Sequence, residues 1–363
     1  MAESYIQMFE EKFYPPIFLE MAEKTIQHFT EQEEQIAEEG KKKLNQHLKQ
    51  IILLQKEQKI EPIQEINVSF LYTSMDEKTA QFRIDSYEAG GRIWKESIVT
   101  TYLCADWMVS GLKDMVTKFK ECAEKESLRR YIRPAELEVL KLRAVRSLLY
   151  YFASRFRYTI QDMLDLQKLA KVKKMESFVI QMGEYMDWQR TIFASLPEVD
   201  IFNCDKETGL RFRHFPAIYY QKKEFLNLKL SQSKFEDCTF HAVLIDGCDM
   251  NDCIFDGCNF ENVTIQNTQL AAGLFFNCTL KQVKFHNVVF SGKTIDGHEG
   301  EYFALPEFHR CLFQESEFHH CRFPNCITED CEVAGLVIEN CDAENSGFFD
   351  LDSIVWRQDS QEE

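Results

Sequence analysis

Residues 233–262 read SKFED CTFHA VLIDG CDMND CIFDG CNFEN, six blocks of five with a large apolar residue at each centre: Phe235, Phe240, Ile245, Met250, Phe255 and Phe260. Outward from these blocks the same spacing runs without a miss from Phe225 to Phe290. Two residues before the centre the side chain is small, as at Cys238, Val243, Cys248, Cys253 and Cys258. Two residues after it stand turn formers: Asp237, Gly247, Asp252, Gly257 and Asn262. A second register follows at Phe308, Phe313, Phe318, Phe323, Thr328, Val333, Ile338, Ala343 and Phe348. The step from Phe290 to Phe308 is 18, three more than a multiple of five, so extra chain is inserted at 291–307 and must leave the regular path.

A period of five fits neither a helix, near 3.6, nor a strand, at 2. It marks a solenoid. The small residue and the centre lie two apart, so a short extended segment points both to one side, and the chain turns once per block. On these residues the stretch from about 221 to 348 resembles the pentapeptide-repeat family. That resemblance implies a right-handed, four-sided β-helix with one block per side. The 23 centres would then make about 5.75 coils, a rod of roughly 28 Å at ~4.8 Å per stacked strand.

The expected fold is therefore a multidomain α+β chain. Residues 1–220 read as a mainly helical domain, 221–349 as the β-helix interrupted by a loop at 291–307, and 350–363 as a C-terminal cap and tail. Pro15-Pro16 precedes a helical pattern from Ile17 to about Gln58, with Gly40 as a possible break. Alternation at Ile66, Val68, Phe70 and Tyr72, then Phe82 and Ile84, then Ile93 to Leu103 after Gly90-Gly91, predicts a three-stranded antiparallel meander at about 63–103. The helical period returns from Asp106 to about Ala194, with Pro134 at a helix start.

Ten of the 13 cysteines lie in the repeats, most at the small inward position, where they act as compact apolar packers. Their spacing suits no usual zinc site, and no metal or other cofactor is expected. The N-terminus lacks a signal-peptide pattern and no apolar run reaches the roughly 20 residues of a membrane span, which points to a cytoplasmic, bacterial protein without membrane contact. Charge divides the chain: 221–363 holds 25 acidic and 10 basic residues, whereas 1–220 holds 34 and 32. An acidic rod repels nucleic acid and attracts a basic protein.

No phosphate-binding loop, dinucleotide turn, zinc-protease helix or nucleophile elbow occurs, and no catalytic residue is assigned. Partner-binding candidates fall in two groups. In the inserted loop, Lys293, Asp296, His298, Glu299, Tyr302 and Phe303 combine polar and aromatic contact surface, and loops on rigid scaffolds often carry recognition. Residues 129–174 hold 12 basic residues against 4 acidic ones, with Arg129, Arg130, Arg133, Arg143 and Arg146 among them, a docking face for an acidic surface. The reading is a non-catalytic scaffold or adaptor that binds protein, with oligomeric state open. Two readings stand beside it. The family resemblance also admits a DNA mimic that regulates or protects a type II topoisomerase, and the helical part could hold an enzyme or an enzyme's partner.

Overall fold

The computed structural model describes residues 2–76, 79–204, 209–294 and 302–358, without the side chains of 2–4, 76, 94, 158, 159, 161, 162, 293, 294, 302 and 303. The chain divides into two compact units, Met1–Ser195 and Leu196–Glu363.

In the first unit, α1 (Ala2–Glu31) and α2 (Glu33–Lys56) meet at Gln32 rather than breaking at Gly40. Pro15 and Pro16 lie inside α1, not ahead of it. The buried stripe Phe9, Tyr14, Phe18, Met21 and Phe29 holds that helix despite two missing amide donors. Gly40 stays helical because its bare face turns to Met163, whose sulfur would lie 3.9 Å from an added Cβ. The meander forms as β1 (Ile63–Phe70), β2 (Gln81–Tyr87) and β3 (Val99–Cys104). Gly91–Trp94 is a helical turn, so β3 starts later than expected.

Two long helices follow, α3 (Leu112–Lys125) and α4 (Pro134–Met163), besides the single turns Asp106–Val109 and Leu166–Leu169. Pro134 is at the first turn of α4, where Glu136 reaches back to the Arg133 amide at 3.0 Å. The helical expectation then fails: Lys174–Glu184 is β4 and Gln189–Ser195 is β5. They complete a mixed sheet of order β3-β2-β1-β4-β5, with β4 parallel to β1 and β5 antiparallel to β4. Met175, Glu176, Gln181 and Met182 favour helix weakly, but Phe178, Ile180 and Met182 bury one alternating face beside β1. Pairing with a strand over a hundred residues earlier decides the segment.

The second unit is a parallel β-solenoid of about 7 turns, longer than the 5.75 coils expected. Three walls are columns of short strands with 6, 7 and 6 members. The fourth is a column of single bridges running from Lys229 through Asp249, Gln269, Val289 and Arg322 to Asp342. The first coil adds strands at His214–Pro216 and Tyr219–Gln221, ahead of residue 221. Within the expected tail, Ile354–Arg357 pairs in parallel with Leu336–Glu339. Stacked partners are 20 residues apart as far as Phe275 and 33 apart from Phe275 to Phe308, so the insertion adds 13 residues and the stack resumes in register.

Corners explain the period. The residue two after every centre except Phe290 and Phe348 adopts φ between about +47° and +82°, including Asp237, Gly247, Asp252, Gly257, Asn262 and Asn267. Ala217, Lys222, Gln232, Ala242, Ala272 and Gln282 take the same left-handed conformation without being turn formers. Inside, rings stack from coil to coil: Phe240 on Phe260 at 4.7 Å and Phe285 on Phe318 at 4.4 Å between centroids. Phe202 plugs one end against Phe225 at 5.1 Å. Phe348 plugs the other against Phe308, Phe313, Phe318 and Phe323 at 5.4 to 5.6 Å. All ten repeat cysteines are free. Several place their thiol on a carbonyl of the preceding coil, as Cys238 does to Phe215 at 2.9 Å and Cys253 to Leu230 at 3.1 Å.

Candidate partner-binding surfaces

A wall strand of the solenoid has its centre inward and, except at the buried Ile254 and Leu274, the residues on either side outward, so outward side chains of successive coils stand in columns. These columns pair charge. His309 bridges Glu307 at 2.7 Å and Glu329 at 2.8 Å, and His319 bridges Glu317 at 3.0 Å and Glu339 at 3.3 Å. Lys281 reaches Glu261 at 2.9 Å, Lys284 reaches Glu317 at 3.3 Å, and Arg322 reaches Asp342 at 3.2 Å. Lys281, Lys284 and Arg322 are thus each paired with a carboxylate of a neighbouring coil. Lys281 holds the Glu261 carboxyl below its usual range, and His241 adds to this. Asp246 is likewise lowered, by the side-chain amides of Asn267 and Gln266 at 3.0 and 2.9 Å. Asp330, Glu332 and Glu344 are exposed on the last coil.

On the third wall, Lys284, His286, Glu317, His319, His320 and Glu339 line a shallow depression of about 360 Å³. His319 ends a wall strand, and His320 occupies the corner after it, with φ 50°. The signal for this cluster was present in the spacing, since Gln266, His286, His319 and Glu339 share one column.

Of the loop candidates, Lys293 and Tyr302–Phe303 lie in a two-stranded antiparallel ribbon, Lys293–Thr294 with Tyr302–Ala304. Asp296, His298 and Glu299 lie outside the described residues. Among the arginines, Arg129 is 3.5 Å from Glu124 and Arg133 is clamped on Glu136 at 2.7 Å. Arg143 lies over the Tyr14 ring at 4.5 Å, with Glu10 at 3.9 Å. Arg146 is 3.4 Å from Glu184, which also accepts the Tyr72 hydroxyl at 2.5 Å. Arg130 is exposed. Arg143 and Arg146 therefore meet carboxylates brought from distant elements, whereas Arg129 and Arg133 meet local ones.

Chemistry that sequence spacing missed occurs at His47, whose ring nitrogens contact Ser86 Oγ at 2.6 Å and Thr101 Oγ1 at 3.0 Å. His47 and Ser86 are both fully buried, and burial pushes the His47 pKa down to about 4. A serine sealed from solvent cannot meet a substrate. The first unit also encloses an apolar cavity of about 40 Å³ between α2, α4 and the sheet, lined by Gly40, Leu44, Trp107 and Met163 among others. That volume holds little more than one or two methylenes. Among the described residues no group of three or more His, Cys, Asp or Glu is placed to hold a metal ion, and no helix is long and apolar enough to cross a membrane.

Comparison with known proteins agrees with the repeat geometry. The family model for pentapeptide repeats (8 copies) matches residues 225–262 and 233–270. No curated protein matches the chain. Solved structures similar to it include a trypsin-treated QnrB1, a plasmid-mediated fluoroquinolone resistance protein, at 13% identity and a TM-score of 0.24, covering 42% of this chain and 86% of that one. Rfr23, a pentapeptide repeat protein from the cyanobacterium Cyanothece 51142, matches at 8% identity and 0.19, covering 37% and 90%. HetL, a pentapeptide repeat protein involved in heterocyst differentiation regulation from Nostoc sp. strain PCC 7120, matches at 7% and 0.15, covering 38% and 85%.

Proposed function

We propose that this chain, whose C-terminal unit is a pentapeptide-repeat β-solenoid, works without catalysis as a scaffold that binds a basic protein along the acidic walls. The observation that carries the reading is the pairing pattern on those walls. His309, His319, Lys281 and Arg322 are held by carboxylates, while Asp330, Glu332 and Glu344 stand exposed at one end. Outward groups fixed in columns on a stacked rod are preorganised, so a partner with matching cations loses little freedom in reaching them. Electrostatic complementarity of this kind sets association rate and partner choice, and it fades as salt screens it.

The test is capture by the full-length chain from a cell extract at low and moderate salt, repeated with Asp330→Asn, Glu332→Gln and Glu344→Gln combined. A basic protein retained at low salt, lost at moderate salt and weakened by the triple change supports the reading. Retention indifferent to both overturns it. The DNA-mimic reading rests on the same acidic walls and predicts one thing more: duplex DNA competes for the captured partner, and that partner is a type II topoisomerase.

A further inference from the structure

We propose that the column of stacked cysteines ends in a two-coordinate site for a soft monovalent metal ion, Cu(I) or Ag(I), held between Cys311 and Cys331. Five cysteines occupy one column without interruption: Cys238, Cys258, Cys278, Cys311 and Cys331. They sit on successive rungs, because the amides of Asn259, Thr279, Leu312 and Glu332 donate to the carbonyls of the first four at 2.9 to 3.0 Å. Rungs of a parallel sheet are ~4.8 Å apart. Two metal–thiolate bonds of about 2.3 Å set in line span about 4.6 Å. An in-register thiol column thus offers the S–metal–S length that a linear ion requires. Ions needing three or four ligands find no such group among the described residues.

Packing alone does not demand this column. The same inward position is filled by Val243, Val263 and Val283 on the neighbouring wall, and by Ser316, which donates to the Leu280 carbonyl at 3.0 Å. The choice of the last pair follows from solvation. Cys238, Cys258, Cys278 and Cys311 are sealed, whereas Cys331 is half-buried on the terminal coil. Binding one Cu(I) releases both thiol protons to solvent and forms a bis-thiolate of net charge −1, with no change of oxidation state. That charge is costly in a sealed apolar interior and tolerable at the open end.

The column on the opposite side of the coil repeats the arrangement. Cys321 is buried, Cys341 is half-buried, and the Cys321 amide lies 3.2 Å from Cys341 Sγ. Two ions per chain are therefore expected.

The experiment is anaerobic titration of the full chain with Cu(I) against an excess of bicinchoninate, which strips copper from single thiols. Wild type should keep two Cu(I), with ultraviolet charge-transfer absorption to match. Cys331→Ser should keep one, and Cys331→Ser combined with Cys341→Ser none, each with an unchanged circular-dichroism melt. Should serine disturb the coil, Cys331→Val, which places there the residue used on the neighbouring wall, must give the same loss. Removing Cys104, Cys122 and Cys204 together should leave two bound. A wild-type chain that yields all its copper to the chelator overturns the proposal, as does copper that survives the double change or departs with the three cysteines outside the repeats.

Discussion

Ile180 in the first unit and Phe255 in the second are both fully buried strand residues, yet they were differently legible. Phe255 meets Phe235 and Phe275, 20 residues to either side, through ring centroids at 5.2 and 4.7 Å. Every neighbour of that kind stands at a fixed offset, so a local pattern specifies a tertiary one. Ile180 meets Ile66 across the sheet, 114 residues away, and nothing around Ile180 announces that partner. Translation along a rod turns long-range contacts into a readable period; an open mixed sheet with a long crossover does not.

Removing one stacked ring should break the solenoid more than any other single change. Phe255→Ala leaves a cavity between coils and should cost roughly 3–5 kcal/mol in chemical denaturation. Because repeats couple mainly to their nearest neighbours, hydrogen exchange should rise in the flanking coils and stay unchanged in Met1–Ser195. Exchange that rises equally throughout the chain would contradict the separation of the two units.

Acid should distinguish the units next. His47 has a folded pKa near 4 against an ordinary 6.5, so its neutral form is the one the fold prefers. The stability it contributes is full above pH 6.5 and is lost as pH falls from 6.5 to about 4, by about 3 kcal/mol. Among the solenoid's carboxylates, Glu236 is lowered by Lys234, Glu261 by Lys281 and Glu317 by His319. Their contribution is present above the unfolded value of 4.5 and is lost only below it. Melts followed by unit-specific exchange should show the first unit weakening between pH 6.5 and 4.5, and His47→Gln should flatten that slope.

A smaller contrast lies at two glycines. A Cβ on Gly183 would lie 2.2 Å from the Trp188 carbonyl oxygen and 2.8 Å from Gln189 Cα, both backbone, so the hairpin itself must shift. On Gly257 it would lie 2.3 Å from Asp237 Oδ1, the end of a side chain that can swing away, leaving mainly the strain of φ +65°. Gly183→Ala should cost about 2–3 kcal/mol and Gly257→Ala about 1–2. The reverse ranking in thermal melts would mean that the corner is the more rigid of the two.

The same logic separates what sequence showed from what it hid. Phe225 to Phe290 was legible because the centre returned without a miss and most small partners and corners agreed with it. Phe215 and Tyr220 belong to the same stack but were missed, because the small partner (Arg213, Ile218) and the turn-forming corner (Ala217, Lys222) both fail there. Ile354–Arg357 escaped because its offset from Leu336–Glu339 is 18, not 20. For the candidate surfaces, net charge identified the acidic rod. It could not show that Arg143 meets Glu10, that Arg155 meets Glu33, or that Arg146 meets Glu184, since those pairs exist only once helices and sheet are assembled.

The mildest change probes the corner code itself. Ala242 is exposed with φ 52°, a conformation costing an L-residue with a Cβ about 1–2 kcal/mol, and Asn or Gly relieves it. Two causes could make Asn frequent at these corners. One is tolerance of the left-handed region. The other is a ladder between coils, as where the Asn287 side-chain amide donates to Asn267 Oδ1 at 2.9 Å. Gly tests the first alone and adds unfolded-chain entropy against itself, so Ala242→Gly should gain only a few tenths of a kcal/mol. Asn tests both, because position 242 stacks between Lys222 and Asn262, and Ala242→Asn should gain about 0.5–1 kcal/mol. If the two gains are equal, backbone tolerance alone accounts for the corner preference and the Asn ladder adds nothing. In the first unit, left-handed Gln58, Ser127 and Met186 stand alone with no stacked neighbour, so there the Asn substitution should never exceed the Gly one. An Asn advantage confined to the solenoid would show that its corners, like its core, are stabilised through the coil-to-coil repeat.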